Sequence, residues 1–335
     1  MMAFSNTFSN ASSNTYALSH ESPWLARFGA YLAERFPPVG HGVLILSYYS
    51  SNQFLAERLS GMPLAYGLES LLGVLTVLLF FFHLRVFDEH KDYADDCRHH
   101  PQRVLQRGLV TLRDLRRLAF VAIALQAVFA VWVGPAAFIA WLIAFVFSLL
   151  MLKEFFLRRW LRQRFLLFAG SHMLVMPLLA LVVFAFTTGS LVAGGWFWLY
   201  AFVGFFVTFN WEISRKIRAP EDERDGVDSY SKTFASSFGQ YGAAWVVIAI
   251  RLIDTGLVIW LGRHLGLGLA FEIALILLFL VCLVGFVDYR FHTHSRTAKR
   301  LETYAGLYIV AFDVILAVAL VRLHGLSFAG LEIAS

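Results

Sequence analysis

The carboxylates of Asp88, Asp92 and Asp96 recur at four-residue intervals in the run Asp88-Glu89-His90-Lys91-Asp92-Tyr93-Ala94-Asp95-Asp96, and Glu89 stands three residues before Asp92. On a helix this spacing puts positions 88, 92 and 96 on nearly one face, with Glu89 beside them. Like charges so placed repel by roughly 0.2–0.5 kcal/mol per exposed pair, and by more where water is scarce. A bound cation is the simplest relief. Hard divalent ions take oxygen ligands, and Mg2+ binds through one or two carboxylates, retained waters and substrate phosphates. Pro101, Arg103 and further arginines follow at once, so the ladder suggests a metal-assisted diphosphate site. A second charged loop carries Glu212, then Arg215, Lys216 and Arg218, then Glu221, Asp222, Glu223 and Asp225. Such a mixed run also suits a solvated loop with no chemistry at all.

The elements that must position these groups are membrane helices. The 335 residues are 59% hydrophobic and 16% aromatic with mean hydropathy +0.65, against about 45–50% apolar in a soluble domain. Stretches of about 20 apolar residues read as transmembrane helices. Nine are expected, at about 41–59, 64–86, 117–135, 137–157, 165–187, 193–212, 240–261, 266–288 and 304–322, giving an all-α membrane protein with a central cavity. The first carries Ser47, Tyr48, Ser50, Ser51, Asn52 and Gln53, a polar stripe that must face other helices or a cavity rather than lipid. Tyr48, Ser51 and Asn52 are the expected cavity-lining residues of that stripe. Spans 2 and 6 each end in a carboxylate, which suggests a pseudo-repeat with two acidic helix ends facing one cavity.

Residues 1–22, rich in Ser and Asn, lack the basic region and apolar core of a cleavable signal and are expected to be a disordered tail. Residues 23–36 place Trp24, Leu25, Phe28, Tyr31, Leu32 and Phe36 at helical spacing before Pro37-Pro38, as in an amphipathic interfacial helix. Residues 23–335 then form a single domain. Cys97 and Cys282 give no disulfide framework. If the loops after spans 2, 4, 6 and 8 share one side, 24 of the 28 Lys and Arg lie there, against Arg58, Arg263 and Arg322 opposite and Arg251 within span 7. By the positive-inside rule the basic side is cytoplasmic. The net charge of +5 is thus a property of one face and needs no nucleic-acid partner.

The motifs resemble those of the UbiA superfamily of intramembrane prenyltransferases, which has nine transmembrane helices and aspartate-rich segments after helices 2 and 6. Its first motif, Asn/Asp-Asp-x-x-Asp-x-x-x-Asp followed by Pro-x-Arg-Pro-Leu and Gly, is matched in register by Asp88, Glu89, Asp92 and Asp96, then Pro101-Gln102-Arg103-Val104-Leu105 and Gly108. Glu89 replaces Asp and Val104 replaces Pro. Ser148-Leu149-Leu150-Met151-Leu152-Lys153 keeps the leucine and lysine of a family segment whose lysine contacts diphosphate. The second motif departs further, with Lys216 and Ala219 where aspartates are expected and acids resuming only at Glu221, although Gly226-Val227-Asp228-Ser229 keeps the loop's end.

The resemblance implies ionisation of an allylic isoprenoid diphosphate with Mg2+ (or Mn2+) as Lewis acid, and transfer of the prenyl group to a lipophilic or aromatic acceptor. It implies metal ligands among Asp88, Glu89, Asp92, Asp96, Glu212, Asp222 and Glu223, and diphosphate contacts from Arg103, Lys153, Arg215, Lys216 and Arg218, with Lys153, Arg103 and Lys216 the catalytic cations. The site would face the cytoplasm of a bacterial inner membrane. Rings from 33 Phe, 12 Tyr and 9 Trp are available to wall the allylic cation, though most must face lipid or pack between helices. A UbiA-type terpene cyclase, in which the chain closes on itself, is the alternative reading. A non-catalytic metal or solute transporter is the third, but transporters place ligands near the bilayer midplane rather than at helix ends. Elsewhere Arg251 and Asp254, three residues apart in span 7, are expected to pair as a structural bridge; Glu272 is expected at the interface, and His99 and His100 to be hydrated.

Overall fold

The computed structural model describes residues 18–223, 229–239 and 241–328. Most of the expected tail, residues 1–17, lies outside these, as do Asp225 and Gly226-Val227-Asp228. Residues 18–22, expected as part of that tail, hold a turn instead: the Ser22 amide donates to Ser19 O at 3.1 Å, and Arg107 Nη2 donates to Leu18 O at 2.8 Å.

In chain order the helices are α1 (Trp24–Arg35), α2 (Pro38–Leu59), α3 (Leu68–His99), α4 (Leu112–Val133), α5 (Pro135–Leu152), α6 (Arg158–Arg162), α7 (Phe165–Met173), α8 (Val175–Thr188), α9 (Gly195–Ser214), α10 (Tyr230–Phe238), α11 (Gly242–Leu265), α12 (Leu269–Phe291) and α13 (Ser295–His324). Short 3-10 turns occupy Glu154–Phe156 and Pro220–Asp222. Among the described residues the only strands are Ala65–Tyr66 and Ser327–Phe328, paired in parallel with Ala65 opposite Ser327. Neighbours follow the chain around a closed ring, α2 on α3, α3 on α4, α4 on α5, α5 on α8, α8 on α9, α9 on α11, α11 on α12, α12 on α13 and α13 back on α2.

Seven of the described helical stretches are long and apolar enough to cross a membrane: α3, α4, α5, residues 166–188 of α7 and α8, α11, α12 and α13. The chain is an integral multi-pass membrane protein. The two other expected spans are also helices, α2 and α9, but are less apolar. In α2 every residue from Ser47 to Glu57 is buried, because α13, α8, α3 and α9 all pack on it. The polar stripe therefore faces protein, as its composition requires. Gln53 Nε2 lies within hydrogen-bonding reach of Ala65 O at 2.6 Å, Glu57 Oε1 at 2.9 Å and Ser70 Oγ at 2.9 Å. Gly73 lets α3 approach α2, since a Cβ there would lie 2.0 Å from the Tyr49 hydroxyl.

Two elements differ from expectation in ways that shape the cavity. Helix α3 runs to His99, beyond the expected end of its span, so the ladder is helical throughout. The expected fifth span breaks at Leu174 into α7 and α8. Pro177, three residues past the break, has no amide to donate, and its ring excludes the carbonyl four residues back. Its position in the first turn of α8 is one that proline tolerates. The expected Arg251–Asp254 bridge does not form: no polar atom of the Arg251 guanidinium has a hydrogen-bond partner, and its cationic carbon sits 5.4 Å from the Tyr308 ring centroid.

Candidate active site

Helical geometry splits the ladder between two faces of α3. Each residue advances about 100°, so four-residue steps drift by about 40°, and the third rung is about 80° from the first. Asp96 consequently lies closer in angle to Glu89 than to Asp88. Asp88 and Asp92 face a central cavity of about 310 Å³. Glu89 and Asp96 face α1 instead, where Arg35 Nε meets Glu89 Oε1 at 2.6 Å and Arg35 Nη2 meets Asp96 Oδ2 at 3.5 Å. Arg103 closes this second cluster, 2.9 Å from Asp96 Oδ2 and 3.8 Å from Glu34 Oε1. The Val104 amide donates to Glu34 Oε2 at 3.0 Å, so the Pro101 to Leu105 segment is docked on α1. Burial raises the Glu34 carboxyl, an effect opposed by the Val104 amide and by the nearby arginines.

Helix α9 supplies the other wall. Glu212, Arg215 and Lys216 line the same cavity as Asp88 and Asp92. Glu212 Oε1 accepts Lys216 Nζ at 2.8 Å, and its other oxygen is held by the Arg215 guanidinium. Lys91 completes the charged end, 3.2 Å from Asp88 Oδ1. Three carboxylates and three cations thus share one end of a cavity whose remaining walls are largely apolar, including Phe81, Phe87, Phe168 and Trp211. The described acids beyond Pro220 do not line the cavity. Glu221 instead accepts the Ser295 amide at 2.7 Å, and Glu223 accepts Ser229 Oγ at 2.6 Å and lies 3.3 Å from Lys232. Neither Asp222 nor Arg218 lines the cavity, and Arg218 is tied through its backbone to Ser231 and Tyr289.

The break between α7 and α8 opens the opposite wall, where His172, Met173, Val175 and Met176 line the cavity. Tyr48 of α2 lines it too and donates its hydroxyl to Met176 O at 2.8 Å. His172 Nδ1 donates to Phe168 O at 2.7 Å, which leaves Nε2 as an acceptor with no partner. Tyr48 also lines a separate small pit, together with Asn52, Tyr200 and Asp313. Asp313 Oδ1 accepts Ser51 Oγ at 2.7 Å and Tyr200 OH at 2.6 Å. Behind the wall, His83, Ser148, Gln126 and Trp141 form a buried hydrogen-bonded chain at 3.1–3.2 Å that ties α3 to α4 and α5. Lys153 does not reach this cavity and is exposed beyond the end of α5.

A sequence profile of the UbiA prenyltransferase family matches residues 54–327. The chain belongs to this family. Solved UbiA structures share its fold. A UbiA homologue from Aeropyrum pernix K1 superposes with TM-score 0.61 at 16% identity, covering 83% of this chain and 98% of that one. A digeranylgeranylglyceryl phosphate synthase structure gives 0.56 at 15% identity over 89% and 99%. A homologue from Archaeoglobus fulgidus, bound to GPP and Mg2+, gives 0.53 at 14% identity over 86% and 99%. No curated protein matches the sequence significantly.

Membership in the UbiA family gives the chain the general kind of reaction, prenyl transfer. Of the expected site residues, Asp88, Asp92, Glu212, Arg215, Lys216 and Tyr48 line the cavity. Glu89, Asp96 and Arg103 meet at α1, and Ser51 and Asn52 lie at or behind the pit. Lys91 and His172 were not among the expected residues. Lys91 was legible as the residue three positions after Asp88. His172 was hidden in an apolar stretch, and only Pro177 hinted that the helix around it would open.

Proposed function

We propose that the protein is a Mg2+-dependent prenyltransferase that ionises an isoprenoid diphosphate at the charged end of the cavity and passes the prenyl group to an acceptor. The observation that carries this reading is the convergence of Asp88 and Asp92 from α3 with Glu212 at the end of α9, and Arg215 and Lys216 just beyond it, on one largely apolar cavity. Among the described residues no three His, Cys, Asp or Glu side chains are gathered closely enough to hold a metal by themselves. That suits Mg2+, which shares its coordination with waters and substrate phosphates. Asp88, Asp92 and Glu212 would hold it there, and bound Mg2+ would neutralise charge developing on the departing diphosphate.

The protein's own cations do the rest of the electrostatic work. Lys91, Arg215 and Lys216 are already held at the cavity by Asp88 and Glu212, so they are oriented before a diphosphate arrives. Phe81, Phe87, Phe168 and Trp211 exclude water and offer ring faces to an allylic cation. Transfer also requires the acceptor to lose a proton. His172 Nε2, buried at the cavity with no partner, is the group that would take it. The site would face the cytoplasm, on the side where the basic residues gather.

Purified protein incubated with geranyl, farnesyl or geranylgeranyl diphosphate and Mg2+ tests this directly. Binding should require Mg2+, and turnover should be slow until an acceptor is added. Rapid acceptor-free formation of a cyclic terpene would replace transfer by cyclisation, while absence of Mg2+-dependent binding to all three diphosphates would overturn the whole reading. His172→Gln should leave binding intact and lower acceptor-dependent turnover by about 100-fold.

A further inference from the structure

A second groove, of about 630 Å³, lies on the other side of Phe87 and Lys91, between α3, α4 and α5. It takes no part in the reaction proposed above. Phe120, Ile123 and Leu149 form apolar walls, with Phe120 67% and Leu149 38% exposed. At one end the walls give way to Arg116 and Lys153. Both are exposed, and neither makes an ion pair or side-chain hydrogen bond among the described residues. An apolar trough that ends in two unneutralised cations is complementary to an amphiphile with a tail and an anionic head.

The backbone beside Lys153 takes an uncommon course. Glu154, Phe155 and Phe156 have φ of 47°, 53° and 58°, three consecutive residues in the left-handed region. For L-residues this conformation is costly, and it persists where surrounding structure enforces it, often at functional sites. Beside this turn Lys153 is exposed, while Glu154, 1% exposed and 3.4 Å from Arg158, lines the same groove together with Arg158.

We propose that this groove binds an anionic, phosphate-headed lipid of the surrounding membrane, with an acyl chain along Phe120, Ile123 and Leu149 and the headgroup phosphate at Arg116 and Lys153. The site is separate from the catalytic cavity, so it stands whether or not the prenyl-transfer reading does. The lipid would brace the α3 wall that carries Asp88 and Asp92 from its outer side.

Native mass spectrometry of the purified full chain, titrated with phosphatidylglycerol and phosphatidylcholine of identical acyl chains, tests the proposal. The wild type should retain one phosphatidylglycerol with about tenfold preference. Arg116→Gln combined with Lys153→Gln should reduce the two lipids to parity. The charge-conserving pair Arg116→Lys with Lys153→Arg should keep the preference, which separates loss of charge from loss of fold. An undiminished preference in the glutamine double variant would overturn the proposal by showing general adhesion to the basic face. Displacement of the lipid by inorganic phosphate, or by geranyl diphosphate, would also overturn it, by making the groove a free-phosphate site or a substrate entrance.

Discussion

Residues 88 and 89 are adjacent in the chain and carboxylates both, yet their side chains meet different partners. Asp88 faces the cavity beside Lys91, whereas Glu89 is 1% exposed on its side chain and bonded to Arg35. Substitutions should separate the two roles. Asp88→Asn should weaken Mg2+-dependent binding of a prenyl diphosphate by about 100-fold with little change in thermal unfolding. Glu89→Gln should do the reverse, since an uncompensated buried arginine costs roughly 3–5 kcal/mol. Isothermal binding and thermal unfolding in detergent, run on both variants, read the two effects independently; equal losses of binding would mean that Glu89 also serves the cavity. The acidic ladder was legible in the sequence, and so was the link between the ends of α3 and α9. Which rungs face inward was not, because a four-residue repeat matches the 3.6-residue turn over one step and drifts visibly over two. The departures from the family motif were informative for the same reason. Lys216, standing where an aspartate was expected, is salted to Glu212 at the cavity, and Lys216→Ala should weaken diphosphate binding by about tenfold with Mg2+ saturating.

Each helix carries a local instruction that the site depends on. Gly73 permits the close crossing of α2 and α3, so Gly73→Ala forces a methyl group against Tyr49, itself 1% exposed. Overpacking of this kind costs about 1–3 kcal/mol. Gly170 on α7 has nothing within 4 Å of a Cβ, and Gly170→Ala should be neutral or slightly stabilising. Chemical denaturation of the two variants in the same detergent checks the contrast. The loop before α13 has a pH dependence of its own. Glu221 is held below its ordinary value, first by the Ser295 backbone amide, so its contribution is present above the unfolded carboxyl value near ~4.3 and is lost as pH falls through the lower folded value. Protection of the Ser295 amide from hydrogen exchange, relative to the unstructured rate, should therefore fall as pH drops through that lower value, and Glu221→Ala should lower it at every pH. Most helices were legible from hydrophobic run length. The α7–α8 break was not read from Pro177, since a proline can sit in a first turn or kink a longer helix; in the structure it sits in the first turn of α8, where Met176 O accepts the Tyr48 hydroxyl.

The ring of helices joins these local features into one asymmetric molecule. The C-terminal parts of α3, α5 and α9 all line the central cavity, through Asp88 and Asp92, Met151 and Leu152, and Glu212. Those three ends therefore lie on one side, and the loops that follow them are among the four that carry most of the 28 Lys and Arg. A membrane with anionic lipids on its cytoplasmic surface attracts that side, and translocating it is unfavourable. On the proposed reading the charge asymmetry would place the diphosphate end of the cavity at the cytoplasm, where a water-soluble diphosphate head and Mg2+ are at hand, with the prenyl tail extending along the apolar walls. Labelling of single cysteines decides whether the molecule is so oriented. In a background lacking Cys97 and Cys282, cysteines replacing Arg98, Arg159 and Arg296, all exposed, should react with an impermeant maleimide only from the cytoplasmic side of sealed vesicles. A cysteine replacing Gly189, exposed in the turn after α8, should react only from the other side. Labelling of positions 98 and 159 from opposite faces would separate the C-terminal ends of α3 and α5 and would be incompatible with a shared cavity; labelling of both, but from outside, would keep the cavity and reverse its access.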